Sequence, residues 1–205
     1  MKKISVMGIA IMYLSMGVVL AVVKFTDVKV EHWAYEFIEK MQYSNVINGY
    51  PDNTFQPDVK VKTGEFIKMV SMTLWPNFKY EAPKNGLHWA MPYVNSLNRV
   101  ALKSSEYDGA KLEKNISRGE AVKILSKAFI AERDFREVPY HIDQNQTYIQ
   151  KYQDLKSIKD DELKSALNIC TQYGLITGFE DDTFRAEESL TRAQAAKIMC
   201  LLVEN

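Results

Sequence analysis

Thr191-Arg192-Ala193-Gln194 is repeated upstream as Ser117-Arg118-Gly119-Glu120, and Lys62-Thr63-Gly64-Glu65 is a damaged third copy. A hydroxyl residue followed three positions later by Glu or Gln is a capping box. The hydroxyl accepts from the N3 amide and the longer side chain returns to the N-cap amide. Each box contributes on the order of 1 kcal/mol and sets the direction of the helix that follows. Capping accounts for Ser117, Glu120, Thr191 and Gln194. It does not account for Arg118 and Arg192, because a cation in the first turn opposes the helix dipole. Two readings of these arginines stand: pairing with a nearby acid, such as a turn aspartate, or reception of a ligand. In the first copy Lys62 occupies the cap and Thr63 the arginine position, so the box is lost although Glu65 survives. Lys62 supplies charge there only as a point, without the planar fork of arginine.

The echo belongs to a longer register. With Trp33, Trp89 and Glu162 as equivalent positions, the apolar residues Ile38, Val94 and Leu167 follow five places later. Asp52, Asp108 and Asp181 each fall in a turn, and Glu65, Glu120 and Gln194 close the copies. A register kept over three copies identifies an internal repeat. Each copy reads as helix, loop, helix. In the first, Trp33, Phe37, Ile38 and Met41 make one apolar face at helical spacing. Asn48-Gly49-Tyr50-Pro51-Asp52-Asn53 breaks it with turn chemistry, and Phe66, Ile67, Val70 and Leu74 form a second apolar face. The other copies repeat this with Val94, Leu97, Val122, Leu125 and Phe129, and with Leu163, Leu167, Cys170, Ile198, Met199 and Leu202. The pattern predicts an all-α protein.

The 205 residues include 26 Lys plus Arg against 26 Asp plus Glu, so no global field recruits nucleic acid. Lys2 and Lys3 precede an apolar stretch from Ile4 to Val23, the layout of an export signal. Its 20 residues match a membrane span, while Val19-Leu20-Ala21 offers a weak cleavage site. Residues 1–24 are therefore read as a signal peptide or an N-terminal membrane anchor. On either reading the chain from Phe25 onward is exported, and it meets a membrane only through residues 4–23 if they stay uncleaved. Cys170 and Cys200 lie in apolar helical contexts. Export permits a disulfide between them, and burial as separate thiols fits equally. No zinc spacing, cofactor motif or catalytic set of Ser, His and Asp is present. Asp160-Asp161 and Asp181-Asp182 read as helix-start and turn acids, so no enzyme is expected.

Several anchors together resemble the S-layer homology (SLH) family, whose pattern is roughly F-x-D-V, H-W-A, G-[IL]-x-x-G-Y-x-D-G-T-F and I-T-R-A-E. The first copy carries Phe25-Thr26-Asp27-Val28, His32-Trp33-Ala34 and Ile47-Asn48-Gly49-Tyr50-Pro51-Asp52-Asn53-Thr54-Phe55. The second carries His88-Trp89-Ala90, Asp108-Gly109 and Ile116 through Glu120, but lacks the leading Asp and the Gly-Tyr pair. The third carries Tyr152-Gln153-Asp154-Leu155, Gly174 through Phe179, Asp182-Thr183-Phe184 and Leu190 through Gln194, without a Trp. The resemblance covers about residues 25–204.

It implies three helix–loop–helix SLH motifs in a pseudo-threefold helical unit, preceded by an N-terminal apolar helix. The expected boundaries are 25–78, 79–131 and 152–205, with a polar surface loop at 132–151. The resemblance further implies grooves between motifs that bind secondary cell-wall polysaccharide, often carrying a pyruvate ketal, and a place in the cell wall or S-layer. A ketal carboxylate suits a bidentate guanidinium, so Arg118 and Arg192 are the first candidate contacts, then Trp89 and Trp33. Each Trp is open to a core or a groove-wall reading. Asp27 and Asp154 are expected to cap the first helix or its lead-in turn, with ligand contact secondary. Gly49 and Gly178 are expected to supply positive φ close to the sugar, and Lys62 to bring charge to the first copy. Two complete boxes imply at most two competent grooves. The competing reading is an envelope structural protein that uses the same scaffold to bind a protein partner.

Overall fold

Three extended segments, one ahead of each second helix, close on one another at the centre of the molecule. The computed structural model describes residues 24–83, 86–98, 102–135, 148–156 and 158–204; the apolar leader, with the helix expected there, lies outside them. Val61 N–H donates to Leu190 O (3.0 Å), Leu190 N–H to Ile116 O (3.1 Å) and Ile116 N–H to Val61 O (2.9 Å). A second cycle runs in the opposite sense. Thr63 N–H donates to Lys114 O (2.8 Å), Arg118 N–H to Glu188 O (2.8 Å) and Arg192 N–H to Val59 O (2.9 Å). The two cycles make the threefold relation of the copies explicit. They take the form of isolated antiparallel bridges, Lys60 with Thr191, Lys62 with Asn115 and Ser117 with Ser189. Val61, Ile116 and Leu190, the apolar residue of each segment, are fully buried there.

The fold is all-α: α1 (Tyr35–Tyr43), α2 (Thr63–Leu74), α3 (Met91–Asn98), α4 (Gly109–Leu112), α5 (Arg118–Phe135), α6 (Asp161–Gln172) and α7 (Arg192–Glu204). Every first helix packs against the second helix of the preceding copy: α3 on α2, α6 on α5, and α1 back on α7. This exchange explains why each copy needs the others. A single helix pair cannot bury its own apolar faces, whereas the closed set places Ile38, Met41, Leu97, Leu125, Leu167 and Met199 in one core. Among the described residues no helix is long and apolar enough to cross a membrane.

The hydroxyl half of the capping box forms in the second and third copies, and the return half in the third. Ser117 Oγ accepts from Glu120 N–H (3.1 Å), and Thr191 Oγ1 accepts from Gln194 N–H (3.2 Å) while Gln194 returns to Thr191 N–H (3.0 Å). In the first copy only the return half remains, Lys62 N–H to Glu65 (3.0 Å), because a lysine side chain cannot accept.

The loop expected over 132–151 is corrected at both ends. α5 continues to Phe135, and Tyr148–Lys151 forms a short 3-10 turn; residues 136–147 lie outside the described set. Arg133 holds the last turns of α5 to α6, its guanidinium lying 4.7 Å from the Phe129 ring and 5.3 Å from that of Tyr173. Cys170 and Cys200 are buried free thiols facing Val122 O (3.7 Å) and Phe37 O (3.6 Å). The disulfide alternative is not realised. Burial pushes both thiols up, Cys200 to about 11, so they behave as small apolar residues.

Several surface carboxylates are held below their ordinary range. Hydrogen bonds from Lys62 and His88 bring Glu113 to about 2, and bonds from Thr183 and Arg185 bring Asp181 to about 2. Thr54 lowers Asp52, Lys123 lowers Asp160 and Lys127 lowers Glu162. A carboxylate whose folded pKa lies below its unfolded value adds stability above the unfolded value, and that stability is lost as pH falls through the folded one. Unfolded Asp and Glu titrate near about 4. Thermal melts followed by circular dichroism are therefore expected to be level between about pH 7 and 5 and to shift downward from about pH 4.5 to 2. An unchanged midpoint at pH 2 would contradict these pairings.

Candidate ligand-binding clefts

Arg118 and Arg192 each leave their own copy and brace the loop of the next. Arg118 donates from Nε to Phe184 O (2.8 Å) and from Nη2 to Thr177 O (3.0 Å). Arg192 donates from Nε to Phe55 O (2.8 Å) and from Nη2 to Asn48 O (2.9 Å). Arg118 lies 4.7 Å from the rings of Phe179 and Phe184, and Arg192 lies 5.0 Å from Tyr50 and 4.6 Å from Phe55. The residues are 4 % and 6 % exposed, yet among the described residues neither forms an ion pair. The acid-pairing reading of these arginines is thus corrected: their partners are backbone carbonyls. A guanidinium has five N–H donors, so both carry donors beyond those the loops take up. Burial draws the Arg118 guanidinium down to about 10, outweighing the attraction of Glu188 and Asp154, neither of which contacts it.

Beside each arginine a cleft opens, and the two match position by position. The first, about 730 Å³, lies between Thr177–Asp181, the α7 residues Gln194, Lys197 and Ile198, Arg118, and Trp33. The second, about 210 Å³, lies between Val46–Tyr50, the α2 residues Glu65, Lys68 and Met69, Arg192, and Trp89. Three copies thus contribute to one cleft. In the first, the loop and α7 come from copy three, the arginine from copy two and the tryptophan from copy one.

Trp33 is 55 % and Trp89 42 % exposed, which selects the cleft-wall reading over the core one. Trp33 also precedes α1, and so leaves the apolar face to Ile38 and Met41. The His-Trp-Ala run has a mechanical reason. His32 Nδ1 accepts from Ala34 N–H (3.1 Å) and His88 Nδ1 from Ala90 N–H (3.2 Å). The imidazole stands against its tryptophan, 5.8 Å and 5.3 Å between ring centres, while the alanine is fully buried.

Three sequence expectations change. Asp27 and Asp154 do not cap the first helices. Asp27 accepts from Phe55 N–H (2.8 Å) and Gln56 N–H (2.7 Å), and Asp154 from Phe184 N–H (2.9 Å) and Arg185 N–H (2.7 Å). Gln56 and Arg185 sit at φ 57 and 60, a left-handed conformation that the doubly bonded carboxylate holds in place. Both aspartates therefore secure the loops that the arginines brace. Gly49 and Gly178 do not have positive φ. They are needed for room: a Cβ would lie 2.1 Å from Phe25 and 2.7 Å from Thr54 O at Gly49, and 2.2 Å from Tyr152 and 2.6 Å from Thr183 O at Gly178. Lys62 lines neither cleft; it is paired with Glu113, which also holds His88 at 2.7 Å.

The third position lacks this set. Thr63 stands for arginine and bonds Lys114 O (3.2 Å), and Glu162 stands for tryptophan. Lys123, the counterpart of Lys68 and Lys197, is taken up by Asp160 (2.6 Å) and Glu162 (3.6 Å), and Lys127 also reaches Glu162 (2.6 Å). Asp108 caps α4 by accepting from Lys111 N–H (2.7 Å) instead of bracing a turn. The lysine three places after each box was the signal that sequence reasoning passed over. Among the described residues no group of His, Cys, Asp or Glu is arranged to hold a metal.

The sequence pattern of the S-layer homology domain matches residues 24–67 and 151–196. Exoglucanase XynX of Acetivibrio thermocellus is 29 % identical over 199 residues, 92 % of this chain and 17 % of that protein. Cell surface glycoprotein 1 of the same organism is 40 % identical over 72 residues, 35 % of this chain and 3 % of that protein. Its cellulosome-anchoring protein is 26 % identical over 115 residues, 52 % of this chain and 26 % of that protein. The chain thus spans about a quarter or less of the length of these relatives.

Proposed function

From a chain that belongs to the S-layer homology family, we propose a non-catalytic cell-surface anchoring module whose two clefts hold an anionic wall polysaccharide. One observation carries the reading: two buried guanidinium groups without a carboxylate partner, each bordering a cleft with an exposed tryptophan and a lysine. A ligand carboxylate takes up the guanidinium donors that the loops leave over, since a charge-assisted contact made out of water is among the stronger polar interactions. Trp33 and Trp89 offer flat faces to sugar C–H groups, and Lys197 and Lys68 add a second cation. A pyruvate-ketal sugar combines both features. The binding units proposed are 25–78, 79–131 and 152–205, with two sites, since the third position has Thr63 and Glu162 in place of the arginine and the tryptophan. Residues 1–24 direct export, and the module works on the wall side of the membrane. The relatives named for surface anchoring and for surface glycoproteins support this setting.

Sedimentation with purified sacculi tests it. The protein is expected to pellet with sacculi that keep their acidic polysaccharide, and to stay in solution with sacculi stripped of it. Equal pelleting with both would overturn the proposal and favour a protein or peptidoglycan partner.

A further inference from the structure

A third pocket, about 420 Å³, lies on the flank of α3 away from the two clefts, with Phe78, Leu87, Met91, Pro92 and Asn95 in its walls. Trp89 of the Arg192 cleft wall lies in sequence between Leu87 and Met91, which line this pocket. A row of aromatic rings joins the two. Trp89 stands 6.5 Å from Tyr93, Tyr93 4.4 Å from Tyr80, and Tyr80 4.8 Å from Phe78, centre to centre. The rings at the two ends are open to solvent, Trp89 at 42 % and Phe78 at 39 % exposed. Lys79 and Glu81 border the pocket with opposite charges, so it has no preference for an anion. The Arg192 cleft, at 210 Å³, falls below the roughly 300–1,000 Å³ that enclose a drug-sized ligand. A bound chain longer than about one sugar must therefore leave it.

We propose that the pocket at Phe78 is a second subsite for neutral sugars of the same polysaccharide whose acidic unit occupies the Arg192 cleft, reached across Trp89. This rests on the glycan reading of that cleft. The occupant follows from the surface: aromatic faces for sugar C–H groups, the exposed amide of Asn95 for hydroxyls, no net charge, and continuity with the site that takes the charged end.

Calorimetric titration separates the two levels. The probes are a pyruvate-ketal hexoside and size-fractionated wall polysaccharide released from sacculi. Phe78→Ala is expected to weaken the polysaccharide about tenfold, a change of about 1.4 kcal/mol, and to leave the hexoside unchanged. Leu87→Asn, at a residue 52 % exposed, is expected to act in the same direction without touching the ring row, and melts confirm that both variants fold. Loss on both probes alike would make Phe78 a support of the Arg192 cleft and overturn the subsite. Unchanged polysaccharide binding by both variants would overturn it as well. Failure of the unsubstituted protein to bind either probe would instead remove the glycan reading on which the subsite rests.

Discussion

Replacing Arg118 and Arg192 together by alanine is expected to abolish co-sedimentation with polysaccharide-bearing sacculi while the chain stays folded. Each guanidinium supplies a fork of donors to its cleft, and a hydrogen bond to a charged group is worth about 1.5–3 kcal/mol. Two such bonds amount to about 3–6 kcal/mol, or roughly 10²- to 10⁴-fold in affinity for one cleft. Either single variant keeps one cleft and loses mainly the advantage of binding a polymer at two points. Stability moves less. Alanine at 118 strips Phe184 O and Thr177 O of a partner, but it also removes a buried cation that no carboxylate contacts directly. Thr177 O borders an open cleft that water can enter, whereas Phe184 O is buried, so the net change is about 1–3 kcal/mol. Lysine tests the geometry apart from the charge. It keeps the cation but cannot brace two carbonyls and a ligand at once, so Arg118→Lys with Arg192→Lys is expected to bind little better than the alanine pair. Binding by the lysine pair at the unsubstituted level, with melts unchanged, would show that the fork has no part in recognition.

What could be read beforehand was whatever one copy repeats in another. The capping boxes, the helical spacing of Ile38, Met41, Leu167 and Ile198, and the missing arginine and tryptophan of the third position all lie in register along the chain. Roles settled between copies were not legible. Nothing near Arg118 in sequence says that its partners are the carbonyls of Thr177 and Phe184, 59 and 66 residues away. The same holds for Asp27, which reads as a helix cap because caps are local, and instead holds amides 28 and 29 residues on. Trp33, read with Phe37 and Ile38 as part of one apolar face, is open in sequence to a core or a groove-wall reading. Trp33 sits within the lead-in turn, across which His32 Nδ1 takes the Ala34 N–H, and α1 begins only at Tyr35, so the ring falls outside the packed face. Helix periodicity reports a core only where the helix has already started. The length of α5 was missed for a related reason: its final turns pack on α6 through Arg133, and a polar residue carries no hydrophobic signal.

The glycines sharpen that distinction into a measurement. Gly178→Ala is expected to destabilise the fold by about 3 kcal/mol, at the upper end of the usual penalty for overpacking. For a chain of this size that corresponds to a fall of about 6–12 °C in melting temperature. The new methyl meets the Tyr152 ring at 2.2 Å and Thr183 O at 2.6 Å. The ring is fixed twice over, by packing at 2 % exposure and by its hydroxyl accepting from Gly178 N–H at 3.1 Å. Thr183 O cannot retreat freely either, since it accepts from Phe179 N–H at 2.8 Å to close the loop. Gly174 is the control. It has φ +63 with nothing within 4 Å of the added carbon, so alanine there meets only the left-handed backbone cost of about 1–2 kcal/mol. If Gly178 served backbone angle, the two variants would melt together; if it serves room, Gly178→Ala melts lower. At Gly49 the same test has a partial rescue. Phe25→Ala in the Gly49→Ala background removes the contact at 2.1 Å but leaves Thr54 O at 2.7 Å, so part of the loss is expected to return and part to persist. Binding follows the loop. A displaced Gly178 carries Thr177 O away from Arg118, and the guanidinium loses the carbonyl that aims it. The variant is therefore expected to lose sacculus binding even at temperatures where it remains folded, and full binding at such a temperature would separate the aim of Arg118 from the loop that holds it.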